Sequence, residues 1–171
     1  MVTDRVHASH ILRLYVWELV DANTHMDLIT ATVNGKAAQL IPVVPLSDEP
    51  LLSSASPRQT YIIYGFVEND TAFGVQRLGT LSLRIIAPDS VKLSEVVNVL
   101  SDTFEYEDLA TVSINRWSSV EPQFIGVRFT GIRTSYVEVG DPEIKEGGPV
   151  EGVVNLNYRY VRDYASITLP A

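Results

Sequence analysis

The chain has 171 residues, enough to bury about 70% of the surface its unfolded form exposes without a metal or disulfide staple. Its 46% hydrophobic and 20% charged residues exclude disordered and fibrous classes. With no cysteine, disulfide frameworks, thiolate zinc sites and cysteine nucleophiles are excluded as well. Thirteen bases against 21 acids give a net charge of −8, which argues against a protein that grips duplex DNA.

That negative charge is concentrated. Asp102, Glu105, Glu107 and Asp108 stand without a base in 101–108, and 138–151 carries five acids against Lys145. No apolar run approaches the ~20 residues of a membrane span, and the N-terminus lacks the apolar stretch of a signal peptide. The expectation is a soluble chain made in the cytoplasm, and Asn69-Asp70-Thr71 reads as a turn rather than a glycosylation site.

The first predicted element is a helix over Arg5–Val20, opened by a Thr3/Asp4 cap. Its apolar residues Val6, Ile11, Leu12, Tyr15, Val16, Leu19 and Val20 recur at helical spacing. A hairpin over Leu28–Val44 follows, turned at Asn34-Gly35, a pair that accepts the positive φ values of a tight primed turn. Pro42, Pro45, Pro50 and Pro57 predict an extended loop without ladder hydrogen bonds. A loop of that length points to function or disorder.

Residues 61–67 and 80–87 predict an antiparallel strand pair. In the second strand Leu81, Leu83, Ile85 and Ala87 share one face, so that face is covered. The cover is a helix opened by Pro88-Asp89-Ser90, whose Leu93, Val96, Val97, Leu100 and Phe104 line a single stripe. A second short helix over Asp108–Ser118, capped by Glu107 and Asp108, explains the acids after it. The chain closes with a strand over Phe124–Glu138, bulged at Gly131, paired with Val153–Arg162. The fold class is thus α+β: one domain spanning 1–171, a mainly antiparallel sheet of about four strands, helices packed on one face, and long loops.

No pattern in this chain calls for catalysis. There is no G-x-S-x-G elbow, Walker loop or G-x-G-x-x-G. His7 and His10, with His25 further on, read as solvated or half-buried rather than as metal ligands, and no cofactor is expected. The acids Asp141, Glu143 and Glu146 lack calcium-loop spacing and read as a hairpin tip. Tyr158 and Tyr160 alternate with bases, as in single-strand binders, yet share a face with Val154 and Leu156 and so read as core. The two long loops, with Leu51-Leu52 taken as exposed, point to contact with other chains.

The lead-in Ile41-Pro42-Val43-Val44-Pro45, the strand Tyr61-Ile62-Ile63-Tyr64, the strand Gly79–Ala87 with its helix, and the closing hairpin around an acidic loop carry a resemblance. In element order, over nearly its whole length, the chain resembles the tail terminator proteins of long-tailed bacteriophages, the actinobacteriophage kind in particular. The resemblance implies a mixed sheet with helices on one face and a homo-hexameric ring on the tail tube protein. That ring stops tube polymerisation and offers a docking surface to the head connector. It is a virion component at the head-proximal end of the tail, assembled in the host cytoplasm and not an enzyme.

Genomic DNA passes the lumen of such a ring without specific binding. Asp102 and Glu105 are candidates for the lumen, where like charge keeps a polyanion from sticking within the ~8 Å screening range. Leu51, Leu52, Asp141, Glu143 and Glu146 are the candidate protein contacts, chosen by expected exposure. Two alternatives are a head-closure or neck connector, and a monomeric enzyme or ligand-binding domain with a deep polar pocket.

Overall fold

A computed structural model describes residues 7–54, 59–70, 76–120, 126–139 and 149–162. Helix α1 (Ala8–Thr24) buries Ile11, Leu12, Tyr15, Val16 and Val20, the stripe expected from their spacing. It starts later than expected, because the His7 ring caps it by accepting the Ser9 N–H at 3.1 Å. Thr3 and Asp4 lie outside the described residues. At its other end His25 takes a left-handed conformation (φ 52°) and donates its N–H to the Asp21 carbonyl.

The predicted hairpin is strands β1 (Ile29–Val33) and β2 (Lys36–Leu40), with Asn34 at φ 52° and Gly35 at φ 76°. The proline-rich stretch departs from expectation. Strand β3 (Val43–Pro45) pairs in parallel with β4 (Tyr61–Asp70), and a 3-10 helix covers Leu46–Ser54. Proline removes a donor but keeps its acceptor, and the Pro42 carbonyl takes the Ile62 N–H at 2.7 Å. A short edge strand tolerates the missing N–H groups.

Strand β4 pairs antiparallel with β5 (Gln76–Ala87) from Tyr61↔Ile86 to Asp70↔Arg77. Asn69 and Asp70, expected in a turn, therefore belong to the strand. Helix α2 (Ser90–Thr103) is capped by Asp89, whose carboxylate accepts the Lys92 N–H at 2.8 Å. Helix α3 (Glu107–Ser119) has Tyr106 at its N-cap without a side-chain bond. Glu107 and Asp108 sit inside its first turn instead, where the helix dipole favours carboxylates. Strands β6 (Val127–Val139) and β7 (Val150–Arg162) close the chain, with the expected slip between Phe129 and Gly131 and a second, unforeseen one between Thr134 and Tyr136.

The main sheet has five strands rather than four, in the order β3-β4-β5-β7-β6, and is mixed because β3 runs parallel to β4. One face carries Leu81, Leu83, Ile85, Val154 and Leu156 in a core shared with all three helices: Ile11 and Val16 of α1, Leu93, Val97 and Leu100 of α2, and Ile114 of α3. Among the described residues the opposite face is covered at its β3–β4–β5 end. There Val44, Ile63 and Ile86 meet Ile29 of the hairpin and Leu52 of the 3-10 helix in a second apolar cluster. Among the described residues no helix is long and apolar enough to cross a membrane.

Candidate assembly surfaces

The remainder of that opposite face is open among the described residues. Strand pairing sets Val67, Thr80, Asn157 and Arg133 in one row across it, and Asn69, Leu78 and Arg159 in the next. Together with Glu107 these residues line a groove. Thr80 donates to the Asn157 amide oxygen at 3.0 Å, and Arg159 pairs with Glu107 at the start of α3. Arg128 pairs in register with Val161, so it stands on this face too. Among the described residues neither Arg128 nor Arg133 has an ion-pair partner. Val67 (68% exposed), Leu78 and Tyr136 add uncovered apolar surface.

The corner between α2 and α3 has the opposite character. Asp102, Glu105 and Asp108 are exposed there, and no base pairs with them among the described residues. Tyr106, Leu109 and Val112 project beside them, with Leu109 68% exposed. The inner side of α3 holds the sheet edge. The Asn115 amide donates to the Phe129 carbonyl at 2.8 Å and accepts the Phe129 N–H at 2.9 Å, while the Thr134 N–H reaches the Phe104 carbonyl at 2.9 Å. These bonds occupy edge groups that would otherwise invite another strand.

Of the residues selected from sequence, Asp102 and Glu105 are exposed. Leu52 is not: it is 7% exposed and packs in the second cluster, because the 3-10 helix turns it onto Ile63 and Ile86. The side chain of Leu51 and all of Asp141, Glu143 and Glu146 lie outside the described residues.

Sequence reading missed one polar cluster. Glu68 accepts the Tyr158 hydroxyl at 2.8 Å and the Tyr160 hydroxyl at 3.0 Å, and the His7 ring lies 3.1 Å from the same carboxylate. Because His7 Nδ1 accepts the Ser9 N–H, its Nε2 carries the proton donated to Glu68. Burial, reinforced by the carboxylate, pushes both phenols up, Tyr160 to about 12. The tyrosines do face the core, as expected from their alternation. The partner of the Tyr158 hydroxyl sits 90 residues away, so spacing carried no signal for it. Burial lowers the His10 pKa, with Arg13 adding to the effect. Among the described residues no group of three or more His, Cys, Asp or Glu side chains is placed to hold a metal ion.

No protein-family model matches the chain, and no curated protein matches it.

Proposed function

We propose that this chain is a structural subunit of a ring that caps the tail tube of a long-tailed bacteriophage. The observation that supports this reading best is the part of the sheet face left open among the described residues: arginines and apolar side chains there lie away from the three α-helices, which pack on the other side. Such a surface suits another protein better than a small substrate. The role is structural rather than catalytic. Copies of the chain form a hexamer, one ring face meets the tube protein, and the other meets the head connector. DNA passes the lumen without specific contacts, consistent with a chain of net charge −8.

Electron microscopy of lysates from the encoding phage, depleted of this chain, tests the proposal. Overlong or head-free tails are expected. Tails of normal length with leaking heads would reassign the chain to the neck, and normal infectious particles would overturn an assembly role.

A further inference from the structure

We infer that the open sheet face of one copy receives the α2–α3 corner of a second copy. The inference rests on the ring reading above and names its contact. Unpaired charge of opposite sign stands on two neighbouring surfaces of this one chain: the sheet face, which also carries Glu138, and the corner, whose Glu107 lines the groove and pairs with Arg159. Arg128 and Arg133 stand without ion-pair partners among the described residues on the sheet face, and Glu105 and Asp108 likewise at the corner. Each surface also carries uncovered apolar area, Val67 on the first and Leu109 on the second. Opposite charge around apolar area steers and orients association, and here the complement of each surface is present on the chain itself.

Placed head to tail, face of one copy on corner of the next, the contact is heterologous and repeats around a ring when its rotation closes, whereas a two-fold pairing of the same two surfaces would stop at a dimer. The contact also places Glu105 between subunits rather than in the lumen, which makes the two positions separable by experiment.

The test is sedimentation of the full chain and two charge reversals, Glu105→Arg with Asp108→Arg, and Arg128→Glu with Arg133→Glu. Circular dichroism establishes that each is folded. Each reversal alone should weaken self-association ~10-fold or more, and an equimolar mixture should restore it, since every contact between the two variants is complementary. Raising salt should weaken the native assembly. If the native chain associates and reversal changes nothing, this contact is wrong while the ring reading stands. A native chain that stays monomeric at all concentrations also overturns the contact, and the tail-length assay then decides the cap reading separately. If a reversal fails to fold, Leu109→Ala replaces it, with the same expected loss of association.

Discussion

At the scale of single residues, the Glu68 cluster shows how a mostly buried carboxylate shapes its neighbours. Tyr160 is fully buried and its phenol is pushed up to about 12 by burial and by Glu68. A phenol of the unfolded chain ionises near the ordinary value of about 10. Below that value both states are neutral and the shift has no effect on stability. Above it the unfolded chain releases a proton that the folded chain keeps, so stability falls as pH rises through this window. Urea midpoints should therefore drop between about pH 9 and about pH 11, and the drop should be smaller in Tyr160→Phe. Equal drops in the two proteins would remove Tyr160 as a cause.

At the scale of elements, α3 acts as a cover for the edge of β6. One amide, Asn115, satisfies both backbone groups of Phe129, as a neighbouring strand would. Asn115→Ala leaves that donor and acceptor facing a methyl group, and the loss should be about 1–3 kcal/mol. Chemical denaturation measures the loss, and faster amide hydrogen exchange at Phe129 locates it. A substitution within about 0.5 kcal/mol of neutral would mean that water replaces the amide fully.

At the scale of the whole molecule, two apolar clusters share strands. Ile62 and Ile63 are consecutive in β4, yet one belongs to the helix-covered core and the other to the cluster under the 3-10 helix. Ile85 and Ile86 divide in the same way in β5. Damage to either cluster is therefore felt by both. Leu52→Ala should cost about 2–5 kcal/mol, as a buried leucine does, and should shift a single unfolding transition. Near- and far-ultraviolet dichroism should report that transition together. Separate transitions would show that the clusters unfold independently.

What the sequence determined by itself is local. Helical spacing located α1 and α2, Asn34-Gly35 located the hairpin turn, strict alternation assigned the faces of β5 and β7, and Gly131 marked the first bulge of β6. Each depends on residues a few positions apart, where steric and hydrogen-bonding rules act directly. Other features depend on residues distant in the chain, and only the tertiary structure decided them. The pairing of β3 beside β4 made a strand of a proline-rich segment, and Ile63 and Ile86 drew Leu52 inward. The open sheet face and the Glu68 cluster likewise arise from strands far apart in sequence. Burial there is set by what the rest of the chain leaves uncovered, and no local pattern encodes that.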